Sequence, residues 1–324
     1  MAEIIDITAN KEQAIEAACK VLGEGLPIAI PTETVYGLAA DATNPAAIAR
    51  IYETKGRPQF NPLICHMADL AMAEQYADFD PVSRTLAEAF WPGPLTIVVP
   101  LKGGSAIHAL ATAGLDTVGI RVPKGFAGEL IRAFGHPLAA PSANTSGKIS
   151  ATSADHVAAD LGEKIRLILD SGASDVGVES TIVKVEDGKL RLLRPGGLPA
   201  VEIERVAGMK LVRPKKASAA IEAPGMMASH YAPGAHVRLD ATDVSDSEAL
   251  ISFGPAPVAG SQSARIVLNL SETGDLSEAA ANLFDYMKRA DASGATTIAF
   301  SAIPDEGLGE AINDRLRRAA APRE

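Results

Sequence analysis

Short apolar runs alternate with amphipathic helical patterns as far as about residue 207, and this alternation constrains the fold of the chain more than any other feature. The runs that predict strands are LPIAIPT, NPLICHM, GPLTIVVPL, DTVGIRVP, HPLAAPS, IRLILDSG, STIVKVED and KLRLLRPG. Helices are predicted near residues 10–24, 45–54, 81–90, 125–134 and 153–161. Because the VEDGKL segment has the composition of a hairpin turn, we predict a mixed α/β sheet instead of a purely parallel one.

The alternation stops at residues 211–236, which contain three prolines, several alanines and no sustained apolar period. This composition is typical of a linker. Beyond it, four apolar runs and two helical patterns predict a small Rossmann-like α/β domain. Since 324 residues exceed what one core usually supports, we predict a first domain over 1–210, a linker over 211–236 and a second domain over 237–324.

Composition and charge limit the classes of function. Hydrophobic residues make up 47% of the chain and charged residues 22%, as in a globular protein. The net charge of -10 argues against stable nucleic-acid binding, and no apolar run approaches the roughly 20 residues that span a bilayer. The N-terminal segment has no basic stretch followed by an apolar one, so no secretory signal is expected. Cys19 and Cys65 lack metal-ligand spacing and fit a reducing cytoplasm.

Two cations, Lys55 and Arg57, follow a predicted helix that Pro58 helps to end, so both lie on a loop where their charged groups can converge. An ammonium group beside a forked guanidinium suits a polyphosphate, whose oxygens need neutralisation and bidentate hydrogen bonds. The alternative is an ordinary solvated pair on the surface. The sequence of this stretch alone does not decide between them.

Hydroxyl and imidazole groups accompany the cations. Thr32 and Thr34 follow the first predicted strand at its carboxyl end, where open α/β sheets usually bind ligands, although turn formation or helix capping would also explain them. His66 lies in the strand segment LICHMA, where a hydrogen-bonded core histidine is the alternative to a ligand contact.

A second polar cluster, APSANTSGKIS, follows the strand predicted at HPLAAPS. Small side chains at Ser142, Asn144, Ser146 and Gly147 allow backbone N–H groups to approach an anion, although a polar turn has the same composition. The cluster is not a Walker P-loop, because Gly147 and Lys148 are not followed by serine or threonine.

Further convergent polar residues are Thr117 and Arg121 in DTVGIRVP and Ser180 and Arg194 in the GVEST to LRPG region. Valines flank Arg121 closely, which predicts that this strand residue is buried. Buried arginine nearly always has an anionic partner. The pattern therefore predicts either a structural salt bridge or a carboxylate ligand, and leaves both open.

Taken in order, PTETVYGL, the K-x-R of ETKGRPQFNPLICH, WPGPLT, TAGLDTVGIRVP, APSANTSGKIS, GVESTIV and LRPG resemble the YrdC-like threonylcarbamoyl-AMP synthases over roughly residues 8–207. The linker segment APGMMASHYAPG and the terminal EGLGEAINDRLRRAA resemble the long, two-domain form of that family. One departure is Met-Ala-Ser before HYAP, where relatives commonly have a basic or tyrosine-containing stretch.

The resemblance implies that L-threonine, bicarbonate and ATP become threonylcarbamoyl-adenylate and pyrophosphate, with Mg2+ accompanying ATP and no resident metal site. Downstream threonylcarbamoyl-transfer proteins would use the product to make N6-threonylcarbamoyladenosine in tRNA. Lys55 and Arg57 would be the catalytic pair. The implied ATP-binding residues are Lys55, Arg57, Asn61, Thr117, Ser142, Asn144, Ser150, Arg194 and Tyr231. The implied threonine-binding residues are Thr32, Thr34, His66, Arg121 and Ser180.

Two other functions stay open at this point. An RNA-binding or regulatory module of the same fold is the first, although the charge of -10 and the aromatic content of 4% leave few stacking platforms for bases. The second is an enzyme that acts on another amino acid or carbamoyl donor. The linker pair His230 and Tyr231 also raises the hypothesis of a lid over bound nucleotide, against a plain spacer.

Overall fold

Two β-sheets organise the chain in the computed structural model, which describes residues 1–213, 222–225 and 229–322. Within these residues the large sheet has the order β1-β8-β2-β3-β7-β4-β6-β5-β9-β10-β11. Its strands are β1 (Glu3–Asp6), β2 (Ile28–Ile30), β3 (Gly37–Asp41), β4 (Ile64–His66), β5 (Leu95–Pro100), β6 (Thr117–Arg121), β7 (Leu138–Ala139), β8 (Leu167–Asp170), β9 (Thr181–Glu186), β10 (Lys189–Arg194) and β11 (Leu211–Val212). Parallel and antiparallel pairs both occur, as predicted.

Helices cover the large sheet. They are α1 (Lys11–Gly23), α2 (Pro45–Lys55), α3 (Leu70–Tyr76), α4 (Pro81–Phe90), α5 (Phe126–Phe134), α6 (Ala154–Leu161) and α7 (Ala200–Ala207). The strands β1, β3 and β11 and the helices α3 and α7 were not predicted. The strand β1 is mostly exposed, so its sequence lacks the apolar run by which the predicted strands are recognised.

The small sheet belongs to the C-terminal part of the chain and is wholly parallel, in the order β12-β15-β13-β14. Its elements are β12 (His236–Arg238), β13 (Glu248–Ser252), β14 (Ile266–Asn269), α8 (Leu276–Ala292), β15 (Thr297–Phe300) and α9 (Gly309–Ala319). A mixed α/β sheet followed by a small α/β domain was predicted, and this architecture is confirmed. Of the predicted linker, residues 214–221 and 226–228 lie outside the described residues, and β11 pairs with β10 of the large sheet.

The two parts of the chain share one apolar cluster. Val35, Ile149 and Val178 from the first part pack with Tyr231 and with side chains of α8 and α9, among them Phe284. Burial of such side chains contributes about 1.5 to 3 kcal/mol each. The C-terminal part is therefore packed directly against loops of the large-sheet region.

Local signals fix the helix that carries the first cation. Asn44 caps α2 by accepting hydrogen bonds from the backbone N–H groups of Ala46 and Ala47, and Pro45 occupies the first turn. The helix ends at Gly56, whose φ of 61° is the left-handed conformation that glycine favours. This ending places Lys55 in the last helical turn and Arg57 on the loop that follows.

Candidate active site

A single cleft forms where several strands of the large sheet end. The strands β4 and β6 are parallel, and His66 lies opposite Arg121 in their register. The loops after β2 and β7, the start of β9 and the end of β10 reach the same edge. Of the predicted site residues, those that line the cleft are Thr32, Thr34, Arg57, His66, Arg121, Ser142, Ser180, Arg194 and Tyr231.

One end of the cleft, here called the Arg121 end, consists of Thr32, Thr34, His66 and Arg121. Thr32 Oγ1 donates to the carbonyl oxygen of Val35 over 2.6 Å, so its 2.9 Å contact with Thr34 Oγ1 requires Thr34 to be the donor. Arg121 Nη1 donates in turn to Thr34 Oγ1 over 2.9 Å. The hydroxyl groups therefore form a directed chain, which fixes the position of the Arg121 guanidinium.

Arg121 also has a carboxylate partner, which was one of the two predicted possibilities. Its Nη2 lies 2.8 Å from Glu33 Oε2, and both side chains are buried. Its Nε donates to the carbonyl oxygen of Gly93 over 3.2 Å. Because the second carboxylate oxygen of Glu33 has no hydrogen-bond partner among the described residues, the Arg121 end keeps unused polar capacity.

His66 adds a neutral imidazole to the Arg121 end. Burial, with a smaller contribution from the charge of Arg121, lowers the pKa of His66 to about 3. Its Nδ1 has no hydrogen-bond partner within the described part of the chain. Near neutral pH this ring can therefore hydrogen-bond a ligand without adding a second positive charge beside Arg121.

The other end, here called the cation end, contains three buried cations: Lys55, Arg57 and Arg194. Arg57 and Arg194 line the cleft, whereas Lys55 does not and reaches the cleft wall only through carbonyl oxygens such as that of Ser142. Lys55 Nζ donates to the carbonyl oxygens of Ser142 and Asn144. Arg57 donates to the carbonyl oxygens of residues 61 and 62, and Arg194 donates to that of residue 180 over 2.9 Å. Within residues 1–213, 222–225 and 229–322, no carboxylate oxygen lies within 4 Å of these three charges.

Burial disfavours the charged forms of these side chains. It lowers the pKa of Lys55 well below its usual value, with a further contribution from the charge of Arg57. Burial likewise lowers the pKa of Arg57 to about 10 and lowers that of Arg194. An anion bound here would stabilise all three charged forms, so the cation end is electrostatically suited to an anionic ligand.

The remaining predicted ATP-binding residues lie behind or beside the cleft wall. Asn144 and Ser150 are buried on the loop after β7, and Ser150 Oγ donates to Glu179 Oε1 over 2.5 Å. Asn61 is buried in the loop that contacts Arg57. Thr117 stands at the other end of β6 from Arg121 and lines a separate small cavity, which shares Pro224 with the cleft.

Sequence reasoning assigned no role to three residues that prove central to the geometry: Glu33, Glu179 and Arg315. Glu179 lines the cleft, and its Oε2 accepts from Arg315 Nε over 2.8 Å. Burial alone would raise the pKa of Glu179, but Arg315 and Arg194 lower it to about 2. Both glutamates stand inside motifs quoted from the sequence, PTETVYG and GVEST, whereas no local pattern links Arg315 to the cleft.

Described linker residues close over the cation end. Gly225, His230 and Tyr231 line the cleft, and the Tyr231 ring stacks on Phe284 with a centroid separation of 5.6 Å. The cavity volume is ≈ 50 Å³, and the cleft is partly open to solvent. Since a cavity of about 150 Å³ accommodates benzene, the cleft in this arrangement has little room for a nucleotide.

The described residues contain no cluster of three or more His, Cys, Asp or Glu side chains that could hold a metal ion. The two carboxylates nearest the cleft, Glu33 and Glu179, are each paired with an arginine. A resident metal does not fit this donor set. Among the described helices, none is long and apolar enough to cross a membrane.

Comparison with known proteins covers almost the whole chain. A family model described as "Telomere recombination", for the Sua5, YciO and YrdC proteins, matches residues 20–196. A second, described as "Threonylcarbamoyl-AMP synthase, C-terminal domain", matches residues 198–321.

Individual relatives agree with these models. The threonylcarbamoyl-AMP synthase of Pyrococcus abyssi is 41% identical, over 97% of this chain and 96% of the relative. That of Bacillus subtilis is 40% identical, over 99% and 97%. A crystal structure of P. abyssi Sua5 complexed with L-threonine has a TM-score of 0.84 at 39% identity and covers 94% of both chains.

Proposed function

Since this chain belongs to the threonylcarbamoyl-AMP synthase family, in its two-domain Sua5 form, we propose that its cleft converts L-threonine, bicarbonate and ATP into threonylcarbamoyl-adenylate and pyrophosphate. The chain is thus an ATP-using nucleotidyltransferase that serves tRNA modification. One observation of the site carries the proposal furthest. At the cation end, three buried cations donate to carbonyl oxygens and to one hydroxyl, that of Ser180, and no described carboxylate lies within 4 Å of their charges. The Arg121 end, in contrast, already pairs its guanidinium with Glu33.

Charge complementarity assigns the two substrates to the two ends. Threonine is a zwitterion with no net charge, and the Arg121 end balances one guanidinium against Glu33. ATP is a polyanion, and buried cations are retained only where an anion repays the cost of burying them. ATP phosphates therefore belong at the cation end, with threonine at the Arg121 end.

The proposed ATP contacts start with Lys55 and Arg57 against the phosphates, where charge accumulates on the leaving pyrophosphate. Arg194 lies across the cleft and adds a third cation. Residues that complete the nucleotide site in this proposal are Asn61, Thr117, Ser142, Asn144, Ser150 and Tyr231. The Oδ1 atom of Asn144, which is buried and has no hydrogen-bond partner in the described residues, supports a ligand contact there.

The proposed threonine contacts use the hydroxyl chain described above. Arg121 takes the carboxylate of threonine, because a guanidinium binds a carboxylate in a forked geometry. Thr32, Thr34 and the neutral ring of His66 surround the rest of the amino acid, and Ser180 Oγ, 2.8 Å from Thr96 Oγ1, lies between the two ends.

The reaction needs positioning more than covalent participation by the protein. Bicarbonate takes up the ammonium proton of threonine and divides into CO2 and water. The neutral amine then attacks CO2 and forms a carbamate with loss of a proton to solvent. A carbamate oxygen attacks the α-phosphorus of ATP while pyrophosphate leaves. The cleft brings the two reactants together, and the fixed cations stabilise the negative charge that develops on the phosphates. No side chain at the cleft is placed as a nucleophile toward the phosphate in this scheme.

Mg2+ enters this proposal as part of the substrate, bound to the ATP phosphates. The donor set of the cleft, with Glu33 and Glu179 both paired to arginines, offers no cage for a resident ion. Threonylcarbamoyl-transfer proteins are the proposed users of the product. We place the enzyme in the cytoplasm with them, in agreement with two free cysteines, Cys19 and Cys65.

The linker is proposed to act as a lid. It places His230 and Tyr231 at the cation end in a closed arrangement that has little room for a nucleotide, so binding requires opening and chemistry requires reclosure. Exclusion of water would protect an adenylate that water hydrolyses. When ATP and threonine bind together, we expect residues 215–233 to become resistant to proteases. Of these, positions 215–221 and 226–228 lie outside the described residues.

The deciding experiment measures pyrophosphate release by the purified chain with MgATP. We expect pyrophosphate, and no phosphate, only when threonine and bicarbonate are both present. Serine in place of threonine, and carbamoyl phosphate in place of bicarbonate, test the alternative of another amino acid or carbamoyl donor. Tight RNA binding at about 150 mM salt without pyrophosphate release would instead favour an RNA-binding module.

A further inference from the structure

The C-terminal domain contributes a buried charge to the rear of the cleft. Arg315, on α9, has a side chain with 0% exposure, although it stands on a helix whose other arginines reach the surface. Full burial of arginine is rare unless the guanidinium is paired. The reason for this burial therefore lies in what Arg315 contacts.

Besides an ion pair with Asp314 on its own helix, whose Oδ2 lies 2.8 Å from Nη1, Arg315 contacts three elements of the cleft wall. Its Nε donates to Glu179 Oε2 over 2.8 Å, and its Nη1 donates to the carbonyl oxygen of Pro195 over 2.9 Å. Its Cζ lies 5.1 Å from the centroid of the Tyr231 ring, within the range of a cation–π interaction. One guanidinium thus joins the start of β9, the end of β10 and the linker.

These elements carry the groups assigned to the nucleotide. Glu179 precedes Ser180, whose carbonyl oxygen holds Arg194 over 2.9 Å, and Pro195 follows Arg194 directly. Glu179 also accepts from Ser150 on the loop after β7. A shift of Arg315 would therefore displace Arg194, Ser150 and the Tyr231 ring together.

Resting on the function proposed above, we propose that Arg315 is a positioning residue for adenylation: it holds the cation end in register without touching either substrate. The C-terminal domain then has a catalytic purpose, because it supplies the guanidinium that orders the nucleotide half of the cleft. The four residues of the Arg121 end have no described contact with Arg315, and of the residues assigned to threonine only Ser180 adjoins Glu179. Threonine binding should therefore depend on Arg315 much less than adenylation does.

The test compares kcat with threonine affinity in the full-length chain. Arg315→Met removes the guanidinium and keeps the length, and should lower kcat for pyrophosphate release by about 10- to 100-fold, the range expected when reacting groups are misplaced by about 1 Å. The dissociation constant of threonine, measured by calorimetry, should stay within about twofold of the parent value. A purely structural role would instead lower binding capacity and rate together, in proportion to the folded fraction.

Two further variants make the result decisive. Arg315→Lys keeps the charge beside Glu179 but cannot also reach Pro195 and cover the Tyr231 ring, so we expect an intermediate loss of about 3- to 10-fold in kcat. Arg317→Met, on the same helix but 57% exposed, is the matched control and should keep the parent rate. If Arg315→Met does not fold, Arg315→Lys decides the matter.

The possible failures are distinguishable. Parent-like kcat in a folded Arg315→Met or Arg315→Lys protein would overturn the positioning role while leaving the synthase function intact. Loss of threonine binding in step with kcat would also overturn it. Absence of threonine- and bicarbonate-dependent pyrophosphate release in the parent chain would refute the function itself.

Discussion

The two ends of the cleft handle buried charge in opposite ways. At the Arg121 end, the guanidinium lies 2.8 Å from a carboxylate of the same chain, Glu33. At the cation end, Lys55, Arg57 and Arg194 donate to carbonyl oxygens and leave their charges uncompensated by any described carboxylate within 4 Å. An ion pair that is complete before ligand binding contributes to the fold. Buried cations without a carboxylate partner instead gain stability when an anionic ligand binds. Mutations at the first end should therefore affect stability, and mutations at the second should affect catalysis.

The largest effect is expected at the Arg121 end. Arg121→Leu leaves Glu33 buried without its partner, and we expect a loss of about 3 to 5 kcal/mol in the free energy of unfolding, measured by urea denaturation. Arg132→Leu is the matched control: Arg132 is exposed, its partner Asp69 lies 3.7 Å away, and its loss should cost less than about 1 kcal/mol.

A double variant checks the cause of that loss. In Glu33→Gln/Arg121→Leu the unpaired charge is gone, so most of the lost stability should return, although threonine binding should not. If Arg121→Leu alone stays within about 1 kcal/mol of the parent, the Arg121–Glu33 pair is not what distinguishes the two ends.

The cation end should show the reverse behaviour. Arg57→Ala removes a charge that stabilises the leaving pyrophosphate, and the loss of about 2 to 4 kcal/mol of transition-state stabilisation corresponds to roughly 30- to 1000-fold in the rate of pyrophosphate release. Its free energy of unfolding should change little, since an uncompensated buried cation adds no net stability. Arg84→Ala provides the control for rate, because Arg84 is exposed and does not line the cleft.

Unchanged turnover in a folded Arg57→Ala protein would show that this cation, although buried, does not act on the leaving pyrophosphate; its burial already excludes the surface-pair alternative. If Arg57→Ala loses as much stability as Arg121→Leu, both ends of the cleft are structural and they do not differ in how they use buried charge.

How far the sequence anticipates this molecule differs between fold and site. Apolar runs predicted most of the buried strands, because a strand buried on both faces is usually apolar throughout, as β2 and β7 are. Buried β3 was missed, because its sequence GLAAD consists largely of small residues and ends in aspartate. The strand β1 is mostly exposed, so its sequence has no apolar run and it was not predicted. Strands are predicted correctly where burial requires a local run of apolar residues, and they are missed where the sequence has no such run.

Site residues were predictable where neighbouring residues in the sequence indicate their role. Of the nine predicted residues that line the cleft, seven lie at or next to the end of a strand at the same edge of the sheet. Arg57 instead follows α2, and Tyr231 belongs to the linker. The partner of Arg121 stayed open between Glu33 and a ligand, since pairing depends on three-dimensional contact. Arg315 was beyond reach, because 136 residues separate it from Glu179 and only the packing of the second domain brings them together.

The pH dependence of stability tests what the two ends share, which is exclusion of water. Burial lowers the pKa of His66 to about 3. Burial also lowers the pKa of His230 to about 3; the charge of Glu179 opposes this shift, and the charges of Arg57 and Lys55 add to it. Unfolded histidine has a pKa of about 6.5, so between the two values the unfolded state binds more protons. Stability is therefore complete above about pH 6.5 and falls as pH decreases toward 3, by about 2 kcal/mol per histidine at pH 5.

Urea denaturation at pH 7 and pH 5 measures this loss. His66→Gln and His230→Gln should each reduce the pH dependence by about 2 kcal/mol, whereas His236→Gln, at an exposed position, should leave it as it is. If only one of the two buried variants does so, one end of the cleft is open to water and the comparison needs revision.

The smallest expected effect concerns the linker. Two alanine variants distinguish backbone strain alone from strain that also opposes closure of the linker over the cation end. Gly225 has a φ of 80°, and a Cβ atom there would lie 3.0 Å from Arg194 Cδ and 3.1 Å from the Tyr231 hydroxyl. Gly208, with a φ of 63°, has nothing within 4 Å of such an atom. Alanine at either position should cost roughly 1 kcal/mol of backbone strain, but only at Gly225 does the added methyl group oppose the closed linker.

Limited proteolysis distinguishes the two variants. Strain of about 1 kcal/mol at Gly225 raises the population of the open linker about fivefold, so cleavage within residues 211–236 should accelerate by that factor in Gly225→Ala and not in Gly208→Ala. Together, ATP and threonine should slow cleavage of the parent and of Gly208→Ala, because a linker closed over nucleotide must reopen before a protease can act on it. Equal cleavage of both variants, with or without ligands, would show that the linker is a tether, and that the cation end is completed by the two domains alone.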